Sequence, residues 1–418
     1  MRISLSSKRD RVLDALFQDY SGPGFSIRLW DGWQWNSTQN EPPAFTLIVE
    51  TPKALAALAA SQDEVTLGEA FIRRDLEVEG DIFSVFSVAE YLLRRPRTWQ
   101  AKLMENWALA LAGAGRWFEH GPPHSPRRDR ASIAYHYDQP VEFFEPWLGE
   151  TLAYSCAYFG APCDCLDQAQ RRKLELVCRK LRLQSGERFL DIGCGWGSLV
   201  LHAAGKHGAQ ARGITLSRRQ AEFACSRIEA RGLGRSCAVE LRDYRECEPL
   251  FGIFDKMASV GMVEHVGLKN LSGYFRIAKR LLRPGGVFLN HGIARSPCSP
   301  ARNNTFIDRY VFPDGKLVTF AQVIEAAEAA GLEVRDVENL REHYELTLRR
   351  WVEGLRAHAT ALAQYVSEST YRIWLLYMAG SAAAFRRGDI AVYQLLLSRP
   401  DRGASRLPLL REDWYARP

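Results

Sequence analysis

The sequence predicts an α/β protein in which a small α+β unit precedes a doubly wound, mostly parallel sheet. From Arg188 onward, short apolar runs alternate with stretches of helical period, which is typical of strands joined by crossover helices. A glycine-rich turn separates the first of these strands from its helix, as in sheets that bind a ligand at their carboxyl edge. The length of 418 residues favours two or three domains over one.

The first region is predicted to be an N-terminal α+β domain at residues 1–115. Residues 45–50 form an apolar run typical of a strand, and residues 76–81 alternate apolar and acidic side chains like a half-buried strand. Residues 82–94 then have helical period. Nothing in this region looks like a reaction centre, so its own sequence predicts fold and not function.

A linker is predicted at residues 116–130, because three prolines and several charges cluster there. The rest of the chain, 131–418, forms the predicted catalytic domain. Its expected elements are five strands, the crossover helices between them and a C-terminal helix pair. The strands are expected at 188–192, 210–215, 239–241, 254–260 and 286–291, and the helix pair at 346–398.

Composition and charge exclude several classes of protein. Hydrophobic residues make up 46% and charged residues 25%, as in ordinary globular proteins. The net charge of +6 is spread along the chain without concentrated basic patches, so we expect no nucleic acid partner. The first residues lack the apolar core of a signal peptide, and no apolar run reaches about 18 residues, which predicts a soluble, cytoplasmic protein.

The cysteines predict a reducing compartment and no metal site. There are nine of them, an odd number without regular spacing. Cys163 and Cys165 form a pair that a metal could use, but no second pair accompanies them. We therefore expect no metal ion.

The strongest local motif is the segment from Leu190 to Ser198, which follows a predicted strand and opens a predicted helix. Its alternating Gly193, Gly195 and Gly197 allow a tight turn and close approach of a ligand, and the helix N-terminus offers free N–H groups. The spacing differs from that of dinucleotide-binding turns. Asp191, two residues before the first glycine, is typical of methyltransferases that bind S-adenosylmethionine. A purely structural turn is the alternative.

The ends of the second and third strands supply further candidates for the cofactor site. Many such enzymes carry an acid after the second strand to bind the ribose hydroxyls, but this sequence has none there. Thr215 and Gln220, one helical turn on, are the candidates that replace it. Asp243 and Tyr244 are suitably placed for the adenine amine and ring, although Asp243 could instead cap a turn.

Further segments carry a resemblance to a known family. They lie at 135–138, 154–159, 259–267, 290–293 and 338–344. Together they resemble the cyclopropane fatty acid synthase family, including its mycolic acid cyclopropane synthase relatives, from about residue 130 to the end. Residues 67–81 resemble the N-terminal domain of the bacterial synthases. The resemblance implies a Rossmann-like class I S-adenosylmethionine-dependent methyltransferase sheet with helical lipid-binding insertions.

The resemblance also implies which residues form the site. A bicarbonate ion would act as base, held by the side chains of Cys156, Glu264, His291 and Tyr344 and the backbone of Ile293. Residues implied to contact S-adenosylmethionine, besides those named above, are Tyr137, Tyr154, Ser155 and Leu216. Each base-site residue has an ordinary structural explanation by itself: a buried thiol, a helix cap, a core histidine or a buried ring. Their coincidence with one family's motifs favours the functional interpretation.

The implied reaction transfers a methyl group to the cis double bond of an unsaturated acyl chain in a phospholipid and closes a cyclopropane ring. A methylene, methyl-branched or hydroxylated product is the first alternative. A small-molecule N-methyltransferase and a lipid-binding protein without catalysis are the others. The implied partners are the acyl chain and the inner face of the membrane, contacted peripherally. A homodimer is compatible with the family, and the N-terminal domain is the expected docking or dimerising part.

Overall fold

The computed structural model describes residues 5–38, 41–52, 54–55, 58, 63–94, 139–247, 253–299, 304–312 and 316–415. The chain divides into two compact units. The first comprises Met1–Glu119, Arg302–Val311 and Val366–Ala383, and the second comprises His120–Ala301, Phe312–Tyr365 and Ala384–Pro418. The first unit therefore takes two segments from the later part of the chain, whereas the sequence predicts a contiguous domain at 1–115. The predicted linker at 116–130 lies outside the described residues.

Both units contain α-helices. In chain order, those of the described residues are α1 (Leu5–Phe17), α2 (Glu64–Ile72), α3 (Val85–Arg94), α4 (Val141–Leu148), α5 (Leu166–Leu181), α6 (Ser198–His207), α7 (Arg218–Ala230), α8 (Leu271–Leu281), α9 (Phe306–Tyr310), α10 (Phe320–Ala329), α11 (Arg341–Ala357), α12 (Ala359–Leu362), α13 (Glu368–Arg387) and α14 (Glu412–Tyr415). None of these helices has the length and apolar character that a membrane span requires.

The first unit contains a four-stranded sheet with the order β2-β1-β3-β4. Its strands are β1 (Phe25–Leu29), β2 (Gln34–Asn36), β3 (Phe45–Val49) and β4 (Leu76–Gly80). β1 and β3 are parallel, and the other neighbours are antiparallel. β3 and β4 confirm the strands predicted at 45–50 and 76–81. β1 and β2 are not among the predicted strands, because two short runs around a turn carry little periodicity.

Arg372 of α13 is a buried cation that ties this helix to α2 and β4 within the first unit. Its side chain is 8% exposed and forms an ion pair with Glu77 at 2.9 Å. Its Nε donates to the carbonyl of Phe71 at 2.7 Å, and its Nη2 donates to that of Leu76 at 3.2 Å. The guanidinium also lies 4.1 Å from the centroid of the Phe71 ring. One side chain therefore satisfies several groups on two other elements.

The second unit contains a seven-stranded sheet with the order β10-β11-β9-β8-β5-β6-β7. Its strands are β5 (Arg188–Ile192), β6 (Gln210–Thr215), β7 (Cys237–Leu241), β8 (Phe254–Val260), β9 (Leu282–Arg295), β10 (Glu333–Asn339) and β11 (Ile390–Ser398). β11 is antiparallel to both of its neighbours, and the pairs from β9 across to β7 are parallel. The chain order reverses at β5, so the crevice for a ligand is expected at its carboxyl end.

Both faces of this sheet are covered. Apolar residues of α5, α6 and α7 pack on one face around buried Phe189 of β5. Apolar residues of α8 and α10 pack on the other face around buried Leu190. Burial on both faces explains why the central strands read as continuous apolar runs in the sequence.

The five predicted strands are confirmed, with β7 and β9 longer than expected. The predicted helix pair at 346–398 is wrong in its second part, because α13 ends at Arg387 and β11 occupies Ile390–Ser398. Most residues of β11 are buried, since it lies between β9 and β10. A short, fully buried strand cannot be told from a helix by periodicity alone.

We predict that Arg372→Met destabilises the first unit by about 3 kcal/mol, because the carboxylate of Glu77 and two carbonyls lose a buried partner. Chemical denaturation measures the change. Arg28→Met is the matched control, since the Arg28–Glu79 pair of the same unit is exposed and should contribute less than about 1 kcal/mol. Equal effects of the two substitutions would contradict the stabilising role of Arg372.

Candidate active site

The glycine-rich turn lies between β5 and α6, at the point where the chain order of the sheet reverses. Gly193, Gly195 and Gly197 all have positive φ, at 82°, 53° and 83°. A side chain at Gly197 would also meet Cβ of Ala224 at 3.0 Å. The amides of Gly193 and Cys194 both donate to the carbonyl of Ile214 at 2.9 Å, which ties the turn to β6. The turn therefore requires glycine for its conformation and for close packing.

A pocket opens above this turn and collects most of the predicted cofactor residues. The predicted residues that line it are Tyr154, Ser155, Asp191, Gly193, Gly195, Thr215, Leu216, Gln220 and Tyr244. Gly197 lies at the N-cap of α6 behind the lining. Tyr137 lies outside the described residues. Lining a common pocket makes these residues candidates, and their contacts with a cofactor stay a prediction.

Asp191 carries a buried carboxylate with unused hydrogen-bonding capacity. Its residue is 2% exposed, and Oδ1 has no hydrogen-bond partner among the described residues. Burial raises the pKa of Asp191 to about 7, while the charge of Lys173 lowers it. A buried acceptor without a partner is costly, so this oxygen is suited to a ligand that donates to it.

Thr215 and Gln220 form a polar pair at the end of β6. Thr215 Oγ1 donates to Gln220 Oε1 at 2.8 Å, and both residues are buried in the pocket wall. The two side chains thus lie next to each other in the pocket wall, and their replacement of the missing acid stays a prediction. Thr215 Oγ1 also accepts the amide of Ser217 at 3.2 Å, so the amide nitrogen of Gln220 is the group of this pair best suited to a polar ligand.

Asp243 is engaged by its own neighbour. It accepts hydrogen bonds from the Arg245 backbone N and Nε, each at 2.9 Å, and from Nη2 at 2.6 Å. It is absent from the residues that line the pocket, whereas Tyr244 and Arg245 line it. The structure therefore has Asp243 in the capping arrangement that was its alternative interpretation, and Arg245 is a pocket residue that was not predicted from the sequence.

Two side chains of α5 hold the segment at 152–156 in place by hydrogen bonds. Lys173 Nζ donates to Ser155 Oγ at 2.8 Å. Gln170 Nε2 donates to the carbonyls of Ala153 and Ser155 at 3.1 and 2.9 Å. Both side chains are almost completely buried. Neither was predicted from the sequence, although two polar residues three apart on the buried face of an amphipathic helix were a usable signal.

Glu264 follows β8 and contacts β9. Its Oε1 accepts the amide of Ile293 at 2.7 Å, and its Oε2 has no partner among the described residues. Burial raises the pKa of Glu264 to about 7, while the hydrogen bond from Ile293 lowers it. Near neutral pH this carboxyl group can therefore either hold or accept a proton.

His291 lies in β9, directly opposite Val260 of β8 and Gln394 of β11. Its Nδ1 lies 3.3 Å from Gln394 Nε2, and its buried Nε2 has no partner in the described residues. With the Gln394 amide in this orientation its nitrogen donates, so Nδ1 accepts and Nε2 carries the hydrogen. Burial, together with the charges of Lys173 and Lys180, lowers the pKa of His291 to about 3, so the ring is neutral.

A chain of contacts links Cys156 to Glu264. The Cys156 thiol lies 3.8 Å from the carbonyl of Leu340, whose amide donates to Val392 of β11. Val392 pairs in register with Ile293, which donates to Glu264. Burial raises the pKa of Cys156 well above its usual range, so the group is a protonated thiol and no nucleophile.

Aromatic rings connect the cofactor segment to Tyr344. The ring centroids of Tyr154 and Trp351 lie 5.1 Å apart, and those of Trp351 and Tyr344 lie 6.0 Å apart. The centroid distance is 4.7 Å between Tyr344 and Phe385, and 5.8 Å between Trp147 and Tyr154. These ring contacts link Tyr344 to the cofactor segment. None of the five predicted base-site residues is among the described residues that line the pocket, and their joint role as a base site stays a prediction.

Metal-ligand chemistry is sparse in the part of the chain that the structure describes. Cys163 and Cys165 are both exposed free thiols. The ligand atoms of Cys178, His202 and His207 lie within 4.8 Å of one another. Glu175 already lies 3.0 and 3.2 Å from the two imidazoles, which gives this cluster a structural explanation between α5 and α6.

Two family models match the chain. The model described as "Mycolic acid cyclopropane synthetase" matches residues 124–395. A second model, a domain of unknown function, matches residues 12–92. The first match covers the sheet of the second unit through most of β11, and therefore every predicted site residue.

Curated proteins with related sequences extend over both matches. The chain is 40% identical to a "Probable fatty acid methyltransferase" of Pseudomonas putida, over 93% of this chain and 95% of the relative. It is 37% identical to the "Cyclopropane-fatty-acyl-phospholipid synthase" of Escherichia coli K12, over 63% of this chain and 66% of the relative. The similarity to the first of these includes the N-terminal region.

Solved structures share the fold of the second unit. The cyclopropane synthase MmaA2 from Mycobacterium tuberculosis matches with a TM-score of 0.61 and 31% identity, over 64% of this chain and 97% of that structure. Mycolic acid cyclopropane synthase CmaA1, in complex with S-adenosylhomocysteine, matches with a TM-score of 0.59 and 32% identity, over 64% and 97% of the two chains. Sequence, fold and pocket agree: the chain belongs to the mycolic acid cyclopropane synthetase family of S-adenosylmethionine-dependent methyltransferases.

Proposed function

We propose that this enzyme methylates the cis double bond of an unsaturated acyl chain in a phospholipid and closes the product to a cyclopropane ring. The observation that carries the proposal is the pair of buried polar atoms beside the pocket, Glu264 Oε2 and His291 Nε2, which lack partners among the described residues. Ring closure needs a base, and this pair would hold one, because the carboxyl group can exchange a proton and Nε2 of the neutral imidazole can donate a hydrogen bond.

The identities of the relatives support a lipid substrate. Two of them are named as fatty acid methyltransferases and one as a cyclopropane-fatty-acyl-phospholipid synthase. When bound at the glycine-rich turn, S-adenosylmethionine would supply the methyl group to a double bond that is a weak nucleophile. The protein therefore has to orient the chain and exclude water, which the aromatic wall around Tyr154 and Trp351 favours.

The same rings suit the charge that develops on the acyl chain. Methyl addition leaves a positive charge on carbon, which aromatic faces can stabilise without trapping it covalently. Tyr154, Trp351 and Tyr344 form a continuous series of ring contacts that begins at the cofactor pocket. This arrangement supports a cationic route over simple displacement at a heteroatom.

The base site fits bicarbonate. When bound, the ion would accept a proton from the added methyl group. Nε2 of His291 is a donor, and a Glu264 with a pKa of about 7 can exchange a proton with a neighbouring oxygen. Cys156, Tyr344 and Ile293 would complete the site. The amide of Ile293 already donates to Glu264, so this residue would act mainly by holding the carboxyl group in place.

We also propose peripheral contact with a membrane surface. Leu409 and Leu410 of the second unit are 100% and 64% exposed, between Arg406 and Arg411. Apolar side chains flanked by basic ones suit an anionic lipid surface. The net charge of +6 agrees with this. The first unit is proposed to serve docking or homodimer formation.

A second candidate product keeps the lipid substrate and changes the fate of the cation. One relative, 32% identical over 84% of its length, is named as a tuberculostearic acid methyltransferase. A 1,2-hydride shift followed by loss of a proton from the added methyl group would give a methylene group, whereas a saturated methyl-branched chain would also require a hydride donor as a co-substrate. Both products would use the same pocket and differ from the cyclopropane in the fate of the cation.

The test of function is incubation with S-adenosylmethionine and vesicles of unsaturated phospholipid, followed by mass spectrometry and proton NMR of the fatty acids. A gain of one CH2 with strongly upfield ring protons is the expected result. Vinyl signals or a branched methyl signal would show that the product is the second candidate and not the cyclopropane. Methylation of an added amine, with the lipid unchanged, would overturn the lipid assignment.

We predict that the rate of ring formation rises between about pH 6 and 8, because Glu264 accepts a proton only after losing its own near pH 7. Glu264→Gln should remove this rise and lower the rate at least about 100-fold. Rates measured from pH 5.5 to 9 at constant bicarbonate test both statements. The exposed Glu229 provides the control substitution Glu229→Gln, which should leave the profile unchanged.

We predict that removal of dissolved carbon dioxide and bicarbonate slows ring formation by about tenfold or more, since no other base is proposed. Added bicarbonate should restore the rate, and Cys156→Ser should raise the concentration needed. The measurement is product formation in degassed buffer with a bicarbonate titration. An undiminished rate in fully depleted buffer would mean that a protein group removes the proton directly.

A further inference from the structure

Lys173 is a buried cation inside the cofactor pocket that no predicted role explains. It lines the pocket together with Ser155 and Asp191, and the residue is 3% exposed. A buried ammonium group is costly unless its surroundings compensate for it. An apolar side chain at this buried position would avoid that cost. The charged group at position 173 therefore indicates a functional role.

The first effect of Lys173 is that it orients the hydroxyl group of Ser155. Its Nζ donates to Ser155 Oγ at 2.8 Å. An ammonium group has no acceptor, so Ser155 must accept this bond and its own hydrogen is directed elsewhere. Ser155 lines the pocket, and the hydroxyl is therefore set as a donor toward a ligand such as the carboxylate of a bound amino acid moiety.

The backbone that carries Ser155 is held by the same helix. Gln170, one turn before Lys173, donates to the carbonyls of Ala153 and Ser155. The amide of Ala157 donates to Oγ1 of Thr347 at 3.0 Å. The segment is thus positioned from two sides, and Lys173 sets the orientation of the Ser155 hydroxyl group.

The second effect of Lys173 is electrostatic. Its charge lowers the pKa of Asp191, which burial raises to about 7. The charge of Asp191 also raises the pKa of three other groups, which are Cys178, Cys194 and Tyr274. The charge of Lys173 also lowers the pKa of Cys156 and of His291. Lys173 is the cation among these groups: burial lowers its pKa to about 8, so below that pH it carries the charge that favours the ionised form of Asp191.

We propose that Lys173 is a positioning residue for S-adenosylmethionine: it orients the Ser155 hydroxyl as a donor toward the bound methionine moiety, in the pocket that Asp191 also lines. A carboxylate and a hydroxyl donor on one wall match the ammonium and carboxylate groups of the methionine moiety. The assignment concerns cofactor binding, and it stands whether the lipid product is a cyclopropane or not.

Lys173→Met is the central test, because methionine keeps the length of the side chain and removes the charge. Calorimetric titration with S-adenosylmethionine should give an affinity lowered by about tenfold or more. Lys256→Met is the matched control: Lys256 of β8 is also a buried lysine, but it lies outside the pocket lining. Its substitution should leave the affinity unchanged.

Two further readouts separate this role from a structural one. The affinity of the native enzyme should fall as the pH drops through about 7, and Lys173→Met should move that midpoint up by about one pH unit. Lys173→Arg, which keeps the charge, should leave the midpoint in place. Ser155→Ala should lower the affinity, and Ser155→Ala combined with Lys173→Met should lower it by less than the product of the two single effects.

An affinity of Lys173→Met within twofold of the native value would overturn the proposal. So would an unmoved pH midpoint, or fully additive effects of the two substitutions. Should Lys173→Met fail to fold, Lys173→Arg and Ser155→Ala decide alone. A midpoint shifted by Lys173→Arg, or an undiminished affinity of Ser155→Ala, would then overturn it.

Discussion

The pairing of β9 with β8 on one side and β11 on the other is the constraint on which the candidate site depends. It sets His291 opposite Val260 and Gln394, and Ile293 opposite Val392. Glu264 follows β8 and reaches back to the amide of Ile293, so a one-residue slip of β9 would turn these side chains to the other face. The ladder also carries Leu340 and, through it, the contact to Cys156.

The second common property of the site is that it contains buried polar atoms without a hydrogen-bond partner in the part of the chain that the structure describes. Asp191, Glu264 and His291 each have one buried polar atom without a partner among the described residues. Such atoms reduce the stability of a fold, and native proteins keep few of them. Their clustering along the carboxyl edge of one sheet supports binding of polar groups there. The positive charge of Lys173 offsets part of the negative charge of Asp191.

Local sequence predicted those parts of the molecule that local chemistry determines. The glycine turn was recognisable because the alternating glycines and the leading Asp191 act over a few residues. The strands β5, β6 and β8 were recognisable because both of their faces are buried. The same property concealed β11, whose apolar run is compatible with a helix as well.

The sequence by itself determined the fold class, the family and the residue types at the site, because these depend on short patterns and spacings. Only the tertiary structure decided which of those residues meet. It tied Asp243 to Arg245, aligned Lys173 with Ser155, and set Gln394 beside His291 from a distant part of the chain. The physical reason is that hydrogen-bond partners and charge environments arise from strand register and helix packing, which no local pattern encodes.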